Sequence, residues 1–138
     1  MKDEKEIQRK YMELQLMDSQ IKQLQKQIQL ADSQLEELES VSASLDDFGG
    51  ISTGTEIIVP FAQGIYAKAE LKNNEELIVN VGANVFAKKK IPETKKAVNS
   101  QLDDMRNLRG RMIADIKEMV TKAGSLQEEL KKLASEKE

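Results

Sequence analysis

The sequence predicts an α+β chain that is mainly α: a long antiparallel two-helix coiled-coil hairpin with two short β-hairpins in the connection. Three observations carry this reading. Apolar residues recur at heptad spacing from residue 1 to about residue 46. The same spacing returns from residue 92 to the C-terminus. Between them, over residues 50–90, the period changes from helical to alternating, and Gly, Val and Ile concentrate there. Residues 1–138 are read as one domain: a first helix over 1–46, a β-segment for assembly over 50–90 and a second helix over 92–138.

With the register started at Ile7, the a positions of the first helix are Ile7, Leu14, Ile21, Ile28, Leu35 and Ser42. The d positions are Lys10, Met17, Leu24, Ala31, Leu38 and Leu45. The intervening positions are mostly Gln, Lys, Glu or Asp, so the pattern is a narrow seam. Tyr11, Leu16 and Leu30 lie off it. The helix is expected to stop near Asp46-Asp47-Phe48-Gly49-Gly50, where two glycines reach left-handed backbone conformations without steric cost.

The second helix opens with Ile91-Pro92-Glu93, a proline and an acid suited to a first turn. Its d positions are Val98, Met105, Met112, Met119, Leu126 and Leu133, and its a positions Leu102, Arg109, Ile116, Ala123, Leu130 and Lys137. Ile113 and Val120 widen the stripe. Folded antiparallel, residues whose numbers sum to 140 are expected to face each other: Leu14 with Leu126, Ile21 with Met119, Ile28 with Met112, Leu35 with Met105. Arg109 then falls opposite the small Ala31 and is expected to send its charge out to water along the seam.

The middle segment reads as four strands in two hairpins. Ile57 and Val59 share a face of a strand ending at Pro60. Ile65, Ala67, Ala69 and Leu71 alternate with Tyr66, Lys68 and Glu70. Asn73-Asn74 is a turn pair, since Asn tolerates positive φ. Leu77, Val79 and Val81 follow, then a turn at Gly82-Ala83-Asn84 and a last strand, Val85-Phe86-Ala87-Lys88. So small a β-element between two helices leaves open edges and an apolar face, which implies pairing with the same element of other subunits.

Composition excludes several functions. The chain has no Cys and no His, which removes disulfides, thiolate or imidazole metal sites and His-based catalysis. One third of its residues are charged and only 4% aromatic, which suits a coiled coil. Residues 1–46 carry 6 basic and 10 acidic side chains, residues 91–138 carry 10 and 9. Nothing in that balance is basic enough to make nucleic acid the default partner, and none is expected. No apolar run reaches the roughly 20 residues of a membrane span, and no signal peptide opens the chain, so a cytoplasmic location is expected. The glycines of residues 49–54 lack the Lys of a phosphate loop and read as a hinge. Lys88-Lys89-Lys90 reads as a solvated strand end that protects an edge, or as a contact for an acidic partner. Asp103-Asp104 and Glu128-Glu129 do not converge as catalytic pairs, so no enzyme activity, cofactor or metal is expected. Met105, Met112 and Met119 read as seam packing, with an adaptable surface for clients as the alternative. Ile7, Tyr11, Leu14, Leu126, Leu130 and Leu133 gather at the end of the coiled coil that holds both termini. Fraying there exposes them for weak, sequence-tolerant binding; equally, they serve to close the coiled coil.

The stretches Gly54-Thr55-Glu56-Ile57-Ile58-Val59-Pro60, Ile65-Tyr66-Ala67-Lys68-Ala69 and Val79-Asn80-Val81-Gly82-Ala83-Asn84-Val85-Phe86-Ala87 resemble the alpha class of archaeal-type prefoldin, and the likeness extends over essentially the whole length. The resemblance implies a hetero-hexamer of two alpha and four beta subunits whose β-segments form a platform bearing coiled coils. It implies an ATP-independent holdase that captures unfolded clients at the coiled-coil tips and passes them to a group II chaperonin. The client-contact residues it implies are Ile7, Tyr11, Leu14, Leu126, Leu130 and Leu133. The assembly residues are Ile57, Val59, Ile65, Val79, Val81 and Phe86. The alternative is a structural scaffold or tether in another prefoldin-like complex.

Overall fold

The computed structural model describes residues 2–136; the register position at Lys137 lies outside the described residues. The element order is α1 (Lys2–Gly49), β1 (Glu56–Ala62), β2 (Ile65–Glu70), β3 (Glu76–Gly82), β4 (Val85–Lys90) and α2 (Ile91–Glu136). The chain divides into two compact units. Unit 1 comprises Met1–Leu35 with Met105–Glu138, and unit 2 comprises Glu36–Asp104.

In unit 1 the heptad pattern decides burial. From Glu4 to Gln34, each a and d position of α1 is buried or half-buried and every other position is exposed. The facing segment of α2 follows the same rule, with Ile113 as the one extra half-buried residue, while Val120 stays exposed. The most buried seam residues are Ala31, Leu35, Ala123 and Leu126. Among the described residues, no side chain is fully buried. A two-helix seam is one side chain wide, so each residue keeps a flank toward water.

Polar bonds across the seam fix the register. Lys10 Nζ donates to Glu129 Oε2 at 2.8 Å, and Arg109 Nε donates to Asp32 Oδ1. Those residue numbers sum to 139 and 141, on either side of the expected 140. Arg109 is half-buried at its seam position, and its head meets Asp32, the residue next to the small, buried Ala31.

Unit 2 repeats this arrangement with its own segments of α1 and α2. Ser42 Oγ donates to Asn99 Oδ1 at 3.3 Å, and Lys95 pairs with Asp46. Leu45, Leu71 and Leu102 are its buried residues. α1 continues past Asp46 to Gly49. It then ends through tight back-bonds, Gly50 N to Asp47 O and Ile51 N to Phe48 O, both 3.1 Å. Neither Gly49 nor Gly50 takes a positive φ, so these glycines end the helix by weak helix propensity and not by a left-handed cap.

The strands form two separate two-stranded antiparallel sheets, β1–β2 and β3–β4, hereafter hairpin 1 and hairpin 2. They are copies of one plan: residue n of hairpin 1 corresponds to residue n + 20 of hairpin 2. Glu56 pairs with Glu70 and Glu76 with Lys90; Pro60 pairs with Tyr66 and Asn80 with Phe86. Each ladder has one bulge at the same place, leaving out Phe61 in β1 and Val81 in β3. The base of each is tied alike, by Leu71 N to Thr55 O at 2.9 Å and Ile91 N to Glu75 O at 3.0 Å.

Three local expectations are corrected. β1 runs through Pro60 to Ala62, because a two-stranded sheet is all edge and tolerates a residue without an N–H. β2 stops at Glu70, and Leu71 is buried at the hairpin base instead. Asn73 and Asn74 do not make a positive-φ turn; they join the hairpins through their side chains. Asn73 Oδ1 accepts from Glu75 N at 2.7 Å and Glu76 N at 3.2 Å, and Asn74 Nδ2 donates to Ile51 O at 2.9 Å. The turn over Gly82-Ala83-Asn84 forms as expected, with φ of 50° at Ala83 and 59° at Asn84.

The seam register has a direct chemical test. Ile28→Cys paired with Met112→Cys should oxidise to an intramolecular disulfide readily, and Ile28→Cys with Met105→Cys should not. Gel mobility under non-reducing conditions reads the difference, and preferential capture of the second pair would contradict the register.

Candidate assembly and client-contact surfaces

On the hairpins, alternation assigns each side chain to a face. One face carries Ile57, Val59, Ala67 and Ala69 of hairpin 1 and Leu77, Val79 and Ala87 of hairpin 2; apart from Val59 and Ala67, these are half-buried within unit 2. The other face carries Ile58, Pro60 and Tyr66, and the equivalent Ile78, Asn80 and Phe86. This outer face is bare: Ile58 is 67% exposed, Tyr66 63%, Ile78 72% and Phe86 62%. Phe61, at the bulge, is 80% exposed. So much contiguous apolar surface, flanked by unpaired strand edges, is not what a lone soluble domain presents.

The six assembly candidates from the sequence fall on both faces. Ile57 and Val79 are half-buried against their own chain; Val59, Ile65, Val81 and Phe86 are exposed. Outside that set, Ile58, Phe61, Tyr66, Ile78 and Val85 are also exposed. Phe86 apart, the candidates were drawn from the side of the strands that alternation marks as apolar. The repeat at an interval of 20 carries the missing signal, since Ile58 recurs as Ile78 and Tyr66 as Phe86 on the side that alternation marks as polar.

In unit 1 the structure brings most of the client-contact candidates into the seam. Leu126 is buried, and Ile7, Leu14, Leu130 and Leu133 are half-buried. Tyr11 alone of the six is exposed, at 55%, next to Met12 and one turn or so from Leu16, which are 69% and 60% exposed. Lys10 occupies a seam position there. Its ammonium meets Glu129 and, at 3.7 Å, Glu6. The hydrogen bond to Glu129 chiefly, with the charges of both glutamates, holds the Lys10 pKa above the ordinary lysine value of 10.5.

Concave spots on unit 1 are open grooves beside the seam, one lined by Gln20, Gln23 and Gln27 with Asp115 and Lys122. No cluster of His, Cys, Asp or Glu that could hold a metal occurs among the described residues, and no described helix is long and apolar enough to cross a membrane. The chemistry on offer is apolar contact and strand pairing.

The family described as prefoldin subunit matches residues 17–136. The chain belongs to the prefoldin family. Among its relatives, a prefoldin subunit alpha of Archaeoglobus fulgidus is 23% identical over 130 residues, covering 94% of this chain and 95% of that one. A prefoldin subunit alpha of Methanococcus aeolicus is 25% identical over 125 residues, covering 91% and 85%. In fold, the chain is similar to a filamentous PFD from Methanocaldococcus jannaschii solved by cryo-EM, with a TM-score of 0.73 and 21% identity over 84% of this chain and 96% of that one. Two long helices with two antiparallel β-hairpins between them in the chain is therefore a prefoldin fold. Prefoldins are chaperone components, and the repeat of two hairpins accompanies likeness to the alpha subunits.

Lys10 gives this prefoldin an alkaline signature. Because its pKa is raised by folding, its contribution is complete below about pH 10 and lost as pH rises through the folded value. The thermal midpoint should therefore fall between pH 10 and 12 more steeply in the parent than in Lys10→Met, measured by circular dichroism. Equal slopes would show that the Lys10–Glu129 pair contributes nothing.

Proposed function

We propose that this chain is the alpha-class subunit of an ATP-independent holdase, assembled as two alpha and four beta subunits, that binds unfolded polypeptides and passes them to a group II chaperonin in the cytoplasm. The observation that carries the reading is the bare apolar face of hairpins 1 and 2, which calls for covering by other subunits. Assembly through that face joins several coiled coils in one particle.

Each coiled-coil tip offers a few apolar side chains. Tyr11, with Met12 and Leu16, is open to a client at once. Ile7, Leu14, Leu126, Leu130 and Leu133 become available only as the helix ends open. One large aliphatic side chain contributes about 1.5–3 kcal/mol when covered. Single contacts of this size are weak and tolerant of client sequence, and several tips acting together raise the avidity.

The burial of five of the six client candidates in the seam favours a second reading, in which the coiled coil is a scaffold or tether and holds no client. Suppression of aggregation separates the two. The full chain, assembled with a beta-type prefoldin subunit and without nucleotide, should keep a chemically denatured client soluble on dilution. Removing residues 1–15 and 124–138 from this chain should cut that suppression severalfold, and Tyr11→Ser with Met12→Ser and Leu16→Ser should cut it in part. Undiminished suppression by the truncated complex would favour the scaffold.

A further inference from the structure

Outside its seam, α1 carries a second row. Arg9, Leu16, Gln23, Leu30 and Glu37 recur at heptad spacing and so line one stripe of the helix. All are exposed, and Leu16 and Leu30 are bare at 60% and 65%. Gln20 and Gln27 lie beside Gln23 on the same stripe. None of these residues belongs to the seam with α2.

The stripe reads alike in both directions. One heptad from Gln23 on either side stands a leucine, Leu16 or Leu30. A heptad further out stand opposite charges, Arg9 and Glu37. A second copy laid antiparallel, with Gln23 against Gln23, therefore sets Leu16 on Leu30 and Arg9 beside Glu37 at both ends. Gln20 meets Gln27, and each side-chain amide both donates and accepts. A parallel copy would instead set Arg9 on Arg9 and Glu37 on Glu37, which like-charge repulsion disfavours. Neither Arg9 nor Glu37 takes part in an ion pair among the described residues. The surface at Leu30 has room for a partner: Lys26, Gln29, Leu30 and Ser33 border an open groove. In the antiparallel arrangement the side chains arriving there are Leu16 and, one turn before it, Met12, itself 69% exposed.

We propose that this stripe of α1 packs antiparallel on the same stripe of a second copy of this chain, about a two-fold axis at Gln23. The apolar residues supply the cohesion, and the end charges choose the direction. The contact is isologous, so it closes at two coiled coils and adds no third. It uses no hairpin residue. It does occupy Met12 and Leu16, so a paired coiled coil and a bound client exclude each other. That exclusion rests on the function proposed above; the pairing does not.

The chain has no cysteine, so an introduced thiol reports the contact. Gln23→Cys in the full chain should oxidise to a covalent dimer, faster as concentration rises. Gln25→Cys, exposed on the other side of α1, should do so severalfold more slowly. Leu16→Cys and Leu30→Cys should each link poorly alone and well when mixed. In the antiparallel arrangement like positions lie about 21 Å apart along the helix, at about 1.5 Å per residue. On the Gln23→Cys chain, Arg9→Glu should slow linking severalfold, Glu37→Arg likewise, and the two together should restore it. Leu30→Ser should slow linking with helix content by circular dichroism unchanged. A Gln23→Cys chain that stays unlinked overturns the proposal. So does equal linking at Gln23→Cys and Gln25→Cys, or linking of Leu16→Cys to itself as readily as to Leu30→Cys. Excess chemically denatured client should slow linking of Gln23→Cys. Unchanged linking would overturn the exclusion, whereas failure of the assembled complex to suppress aggregation would count against the holdase.

Discussion

Burial in this chain is one side chain deep, and the rest of its behaviour follows from that. A pair of helices can hide a single seam, and a two-stranded hairpin can hide at most one of its faces. Among the described residues seven hydrophobic side chains are buried, and four of them, Ala31, Leu35, Ala123 and Leu126, belong to unit 1. Apolar surface that a thicker domain would enclose is left bare on Ile58, Phe61, Tyr66, Ile78 and Phe86. Covering it requires another chain. The prefoldin fold is thus a fold whose completion is intermolecular.

Polar groups in the seam act as keys to register. Arg109 and Lys10 occupy positions where Leu or Ile would pack better. Each is satisfied by a carboxylate one step away on the facing helix, Asp32 and Glu129. Sliding α2 by one heptad would place Arg109 opposite Leu24 or Leu38 and remove Asp32 from reach. Exposed pairs of this kind add little stability, on the order of 0.2–1 kcal/mol. Their effect is on specificity, since a slipped register strands a charge against a leucine. Lys95 with Asp46 and Ser42 with Asn99 serve unit 2 in the same way.

The helices were legible in the sequence because a heptad is a repeated, redundant signal: the seam positions from Ile7 to Leu45 on α1 and from Val98 to Leu133 on α2 are the less exposed ones. The bent parts were harder to read. Pro60 suggested a strand end, yet the strand is an edge and needs no N–H there. Asn73 and Asn74 suggested a positive-φ turn, yet their side-chain bonds make the connection. Gly49 and Gly50 were placed near the helix end but act by another route. The exposed apolar face of the hairpins was half legible. Alternation normally marks the apolar side as the inside, and here both sides are apolar because one faces the chain's own unit and the other faces outward. The tip residues illustrate a limit of pattern: seam packing and client contact call for the same Leu and Ile, and burial places five of the six in the seam.

The central claim is that the hairpins complete their burial only against other chains. Amide hydrogen exchange over residues 56–62, 65–70, 76–82 and 85–90 tests it most directly, comparing the chain diluted to its monomer with the chain assembled with partner subunits. The account predicts fast exchange at the strand edges in the monomer and strong protection on assembly, with the seam amides around Leu126 changing far less. Strand amides equally protected in both states would contradict it.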